Sequence, residues 1–285
     1  MSLQRIEGPK KCFCGKDPAP TKPGERYGTL CFEHREAMRV SDVKLEEERR
    51  AKEANAMRDM LIARVDEAVP DAFNTMRVVS HPDLIQGMFR DRIHVADPCG
   101  FYSDLMDIAR DALRVRGLVV VFAGPTGIGK SHALALFLRM VAYLVPTLPP
   151  HENFTTRHGG IFHGDWDSNE TNPYVMWDTA SLLFKNVTKH NADTWKHENV
   201  PIFALDDVGR EGTQVNATPV QDVLWARHDE QRLLAITTGF VDPTVDPTDV
   251  DAFFAPLARR YDEAAVRRLV KIPGRCRVIP MLPSA

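Results

Sequence analysis

Apolar and polar positions change rhythm twice along this chain. The stretch "KLEEERRAKEANAMRDMLIARVDEAV" is heavily charged at first and then sets Met57, Leu61, Val65 and Val69 four residues apart. That is the single apolar stripe of a helix, predicted over residues 41 to 69 and stopped by Pro70. Beyond it the period alternates. "SDLMDIARDALR" and "SHALALFLRMVAYLV" carry helical spacing, and between them "GLVVVFA" is an unbroken β-branched run of the kind a strand buried on both faces requires. Four more runs read as strands: "YVMW" (174–177), "VPIFALDD" (200–207), "LLAITTG" (233–239) and "RCRVIPM" (275–281). "TASLLFKNVTKH" and "TPVQDVLWARHDEQ" read as helices between them. Strands alternating with helices imply right-handed crossovers and a doubly wound parallel α/β sheet.

Two stretches fall outside this rhythm. Residues 1–40 are rich in Lys, Pro and Gly and offer too little apolar material to fold without a staple. Residues 146–173 carry several prolines and glycines with no period, and read as a long surface insertion. The expected organisation is therefore a small module (1–40), a linking helix (41–70) and an α/β domain (71–285).

Composition narrows the partners. A net charge of -3 over 285 residues argues against a charge-driven coat on nucleic acid or anionic lipid, so any DNA contact must be local. No apolar run approaches the length of a membrane span, and "MSLQRIEGPKK" lacks the apolar core of a signal peptide, which points to the cytoplasm and to no membrane partner. Three of the five cysteines crowd into the first 31 residues, a distribution that favours metal over disulfide in a reducing compartment.

The chemistry concentrates in three places. Gly124, Gly129, Lys130 and Ser131 fit G-x-x-x-x-G-K-[ST], with Pro125, Thr126, Gly127 and Ile128 between the glycines. The match follows a buried strand and opens a helix, as the mechanism requires. Backbone N–H groups of the turn then surround phosphate oxygens, Lys130 reaches the β and γ phosphates of ATP, and the Ser131 hydroxyl ligates magnesium. Second, "PIFALDDVGRE" ends a strand in two carboxylates: Asp206 on the magnesium side, Asp207 to activate water. "LLAITTGF" then brings Thr237 and Thr238, whose hydroxyls could sense the γ phosphate. Third, Cys12, Cys14, Cys31 and His34 form C-x-C and C-x-x-H pairs across a turn-rich loop, a ligand set suited to a closed, structural zinc site. Free thiols beside a surface histidine are the alternative. Cys99 and Cys276 stand apart as packing residues, and His151, His158 and His163 in the insertion stay unassigned.

Taken in order, "VVVFAGPTGIGKSHAL", "IFALDDVGRE", "LLAITTGF" and "ARRYDEAAVRRL" resemble the AAA+ ATPases of the DnaC and DnaI type, loaders of the replicative helicase in bacteria and phages, and their IstB relatives in transposition. The resemblance spans about residues 75 to 281. It implies an AAA+ sheet flanked by helices, ATP hydrolysis that is weak or DNA-stimulated, head-to-tail self-association, and binding of single-stranded DNA and of a hexameric helicase. It also implies an arginine finger, matched here by Arg268 next to Arg267, with Arg259 and Arg260 nearby. Where the family often has a second arginine this chain has Ala264, and where its sensing strand commonly ends in asparagine this chain has Gly239, which moves that role to Thr238. The front cysteines are similar to the zinc-bearing, helicase-docking module of some loaders. An IstB-like transposition ATPase and an ATP-locked module that does not hydrolyse are the rival readings.

Overall fold

In the computed structural model, residues 14–17, 30–147, 175–183, 200–210, 218–261 and 263–282 are described. Cys12 and residues 148–173 of the insertion lie outside them. The five apolar runs all form strands: β1 (Val119–Ala123), β2 (Val175–Thr179), β3 (Ile202–Val208), β4 (Leu233–Thr238) and β5 (Cys276–Pro280). They pair in parallel in the order β2-β3-β4-β1-β5. Every residue of β1 and β4 is buried, which is why those runs are apolar throughout rather than alternating.

Side chains of β1 divide between two cores. Val120 and Phe122 join a cluster with Leu61, Val65, Phe89 and Leu134, while Val119, Val121 and Ala123 join one with Val223, Phe253 and Leu257. The two-residue period of a strand thus fills a layer of helices on each face. Helices α2 (Pro82–Phe89), α3 (Pro98–Arg114) and α4 (Lys130–Leu144) supply the first layer. The second holds α5 (Thr218–Asp229), α6 (Val250–Phe253), α7 (Ala255–Arg260) and α8 (Glu263–Val270). Asp97 caps α3 by accepting from the Cys99 and Gly100 N–H groups, and Pro98 occupies its first turn. The fold class is the expected one: a parallel α/β sheet between helices, with the glycine turn leaving an interior strand.

Two buried arginines tie the layers internally. Arg139 of α4, 1% exposed, bonds the Asp66 carboxylate at 2.8 Å through Nε and the Asn74 side chain at 2.7 Å. Arg227 of α5 donates to the carbonyls of Val200, Pro201 and Leu233, so one fully buried guanidinium satisfies backbone acceptors where β3 and β4 enter the sheet. Burial holds its pKa well below the usual arginine value, with Arg232 adding to the effect.

Helix α1 runs Phe32–Ala68, starting well before residue 41 and taking in His34 within its first turn. The segment 32–40 has charge but no apolar stripe, so periodicity missed it. Glu33 in the first turn complements the helix dipole. The chain divides into two compact units, Met1–Ala56 and Met57–Ala285, whose boundary falls inside α1. In the larger unit Leu61, Val65 and Val69 of the predicted stripe are buried and Met57 is partly buried against the same core. No helix among the described residues is long and apolar enough to cross a membrane.

Candidate functional site

The turn between β1 and α4 is shaped by close backbone approaches. A Cβ at Gly124 would lie 1.9 Å from the Met281 carbonyl oxygen, and one at Gly129 would lie 2.1 Å from the Arg92 carbonyl oxygen. Gly129 also takes φ 97, left-handed geometry that costs glycine nothing. It is the N-cap of α4, and among the described residues no side chain caps that helix. The first N–H groups of a 15-residue helix therefore point at the turn, an electropositive cradle for an anion.

Lys130 opens α4 almost fully buried, and its Nζ donates to the Pro125 carbonyl at 2.8 Å. Burial pulls its pKa below the ordinary lysine value; the Arg210 charge pushes the same way, while Asp207 and Asp206 oppose both. Ser131 Oγ donates to Asp206 Oδ1 at 2.9 Å, and the Thr237 hydroxyl donates to the same oxygen. Burial raises the pKa of Asp206 and the two hydroxyls counter it. A hydroxyl and a carboxylate side by side next to a phosphate turn are the oxygen set that suits magnesium, which takes one or two protein ligands and keeps several waters.

The two aspartates are treated differently by the fold. Asp206 is buried, whereas the side chain of Asp207 is 45% exposed. Asp207 has φ 58, and the β3–β4 register shifts between Leu205 and Val208. This bulge turns Asp207 out of the sheet while its N–H donates to Thr237 Oγ1 at 2.9 Å. One carboxylate thus faces Ser131 and the other is open to water.

The two threonines are placed differently. Thr238 lies opposite Val208, fully buried, and its hydroxyl donates to the Val208 carbonyl at 2.9 Å and accepts from the Phe240 N–H at 3.1 Å. It braces two strand ends, with its hydroxyl engaged by backbone groups on both sides. Thr237 is the threonine brought to Asp206. The position beside the turn is Gly239, where a Cβ would lie 3.7 Å from the Gly124 carbonyl oxygen, and glycine presents no side-chain group there.

Arg268 lies exposed on α8 with its guanidinium over the Trp225 ring of α5, 5.1 Å from the centroid. Arg267 pairs with Glu263 at 2.6 Å. Neither is among the side chains gathered at the turn. Arg210, which stood unremarked inside "DDVGRE", is: it donates to the Thr126 hydroxyl and its Nε lies 4.0 Å from Asp207.

In the N-terminal unit, Cys14 and Cys31 Sγ lie 3.6 Å apart and His34 Nδ1 is 3.3 Å from Cys31 Sγ. All three ligand atoms fall within 4.8 Å of one another. Zinc–sulfur and zinc–nitrogen bonds of about 2.3 and 2.1 Å at tetrahedral angles give edges of about 3.6–3.8 Å. The Cys14–Cys31 and Cys31–His34 separations match those edges to within a few tenths of an ångström. Cys31 sits just before α1 and His34 in its first turn, so the helix itself sets one ligand pair.

No protein-family model matches the chain, and no curated protein does. Among solved structures, the DnaC helicase loader aligns at 17% identity over 63% of this chain and 86% of that one, with a TM-score of 0.44. A putative primosome component from Streptococcus pyogenes serotype M3 aligns at 17% identity over 73% and 93%, TM-score 0.40. DnaA from Aquifex aeolicus, bound to AMPPCP, aligns at 14% identity over 61% and 44%, TM-score 0.36. At such scores these likenesses assign no role to any residue here.

Proposed function

We propose that this protein is an ATP-dependent loader of a hexameric replicative helicase, working in the cytoplasm on single-stranded DNA. The observation that carries the nucleotide part is the joining of Ser131, Asp206 and Thr237 beside Lys130 at the mouth of the glycine turn. Gly124 to Gly129 and the α4 N-terminus cradle the phosphates, Lys130 neutralises them, and Ser131 with Asp206 holds magnesium. When bound, magnesium offsets charge on the terminal phosphates. Asp207, half exposed beside that pair, accepts the proton of the attacking water.

The remaining parts rest on motif order and exposure. Arg268 lies on the surface, where a neighbouring subunit's nucleotide can reach it, and so serves as the finger in a head-to-tail assembly. Residues 1–40 hold zinc through Cys12, Cys14, Cys31 and His34 and dock the helicase, residues 41–70 link, and residues 71–285 are the ATPase. Phe32 and Val40 in that module are 71% and 61% exposed, apolar surface of the kind a docking module needs. The lack of a polar side chain at Gly239 favours slow hydrolysis.

The test is steady-state ATP turnover with and without single-stranded DNA, for wild type, Lys130→Ala and Asp207→Asn, with a pull-down of a hexameric helicase alongside. DNA-stimulated turnover lost in both variants, with helicase capture kept in Lys130→Ala, is expected. Absence of DNA-stimulated hydrolysis in wild type sinks the motor reading, and ATP affinity retained in Lys130→Ala contradicts the site.

A further inference from the structure

The phosphate turn is gripped from across the sheet by a side chain that the nucleotide reading leaves without a task. At the end of β3 the backbone reverses through Asp207 (φ 58) and Gly209 (φ 98), closed by the Arg210 N–H donating to the Asp207 carbonyl at 3.0 Å. Only glycine fits at 209, because a Cβ would lie 2.5 Å from the Phe240 ring. Ser181, after β2, donates to the Arg210 carbonyl at 3.4 Å and holds the reversal from its other side. The fold thus fixes where Arg210 starts and sends it back toward the turn.

There its guanidinium donates to the Thr126 hydroxyl through one terminal nitrogen and brings Nε to 4.0 Å from the Asp207 carboxylate. It stands between the middle of the phosphate turn and the carboxylate read as the water-side group. A structural arginine in this protein looks different: Arg139 and Arg227 are fully buried, whereas the Arg210 side chain is 46% exposed. Two cations, Lys130 and Arg210, converge on one small turn, and the Arg210 charge is felt at Lys130. Like charges brought together around backbone donors are stabilised by a polyanion.

We propose that Arg210 contacts the terminal phosphate of a nucleoside triphosphate bound in its own subunit, and so discriminates triphosphate from diphosphate. The proposal rests on the nucleotide reading of the turn. A guanidinium suits the task, since its planar fork can keep Thr126 on one nitrogen and offer the others to phosphate oxygens. On the nucleotide reading Asp207 flanks the attacking water, so a guanidinium beside it stands next to the terminal phosphate that a diphosphate lacks.

The experiment is magnesium-dependent binding of ATP and ADP to the full chain by isothermal titration, for wild type, Arg210→Ala and Arg210→Gln. Thermal melting confirms that each variant is folded. Glutamine keeps the stem and a polar head but ends short of the guanidinium tip and carries no charge, so it removes the contact more gently than alanine, and the split between ATP and ADP separates phosphate contact from bracing. ATP affinity should fall about 10- to 100-fold in both variants, the size of a lost charged hydrogen bond, with ADP affinity within about 2-fold of wild type. Equal losses for the two nucleotides would make Arg210 a brace of the turn, and tighter ATP binding would make it a latch; either overturns the proposal. Unchanged affinities overturn it too. Wild type that binds ATP and ADP while the variants match it defeats this inference alone, whereas wild type that binds neither removes the site with it.

Discussion

Gly124→Ala tests how rigidly the sheet sets the phosphate turn. The added Cβ would sit 1.9 Å from the Met281 carbonyl oxygen, and real Cβ atoms essentially never come within 3.0 Å, so that oxygen must retreat by at least 1.1 Å. It cannot do so freely. The N–H of Met281 donates to Ala123 at 2.7 Å, and the N–H of Gly124 donates to Thr238 at 3.2 Å, so both backbones are pinned by the ladder that joins β5, β1 and β4. Losing the Met281 bond costs about 1 kcal/mol and overpacking about 1–3 kcal/mol, together about 2–4 kcal/mol. At about 2–4 °C per kcal/mol for a domain of this size, melting should fall by about 5–15 °C, read by circular dichroism. Gly239→Ala is the control, because its Cβ meets nothing closer than 3.7 Å and should cost less than about 1 kcal/mol. Gly124→Ala melting within about 2 °C of wild type, or a Gly239→Ala drop as large, would refute the reasoning.

Two further outcomes follow from buried side chains. Arg139→Met should cost about 2–3 kcal/mol, less than a wholly buried pair because Asp66 keeps some solvent, and the loss should shrink when Asp66→Asn is combined with it; purely additive losses would contradict the pairing. In zinc-replete protein at pH 8, Cys14 should resist alkylation although exposed and become reactive on chelation, while burial pushes the Cys276 thiol up to about 12 and slows its labelling about 10³-fold relative to an ordinary thiol. Peptide mass spectrometry resolves the two, and rapid labelling of Cys14 before chelation would remove the metal site.

The interior strands β1, β3 and β4 were legible because a parallel strand covered on both faces writes itself as an apolar run; the edge strands β2 and β5, only partly buried, showed as shorter runs mixed with polar residues. The glycine turn and the paired aspartates were legible as local spacing. What could not be read was anything set by register. Threonines 237 and 238 look equivalent in "AITTGF", and the choice between them is made by a bulge in β3 at Asp207, which puts Val208 rather than Asp207 opposite Thr238. No composition signals that bulge, since Asp207 is an ordinary residue forced to a positive φ by its neighbours. The start of α1 was hidden for the opposite reason: residues 32–40 pattern no apolar face, so only charge and the position of His34 mark them as helix.

Among the described residues, the buried cations mark this turn as a place to look for a ligand. Arg227 gives its two terminal nitrogens to three backbone carbonyls, and Arg139 bonds Asp66, Asn74, Phe73 and Ala135. Each of those charges is met by acceptors that the fold already had to satisfy. Lys130 is nearly as buried, yet of its three ammonium donors one goes to Pro125, a carbonyl of its own turn, and burial weakens its hold on the proton. Around it stand a buried carboxylate at Asp206, a left-handed aspartate, and a glycine under a carbonyl oxygen. Each is locally unfavourable. Such costs gather where binding can repay them, and the proposed anion with a divalent cation would answer all of them together.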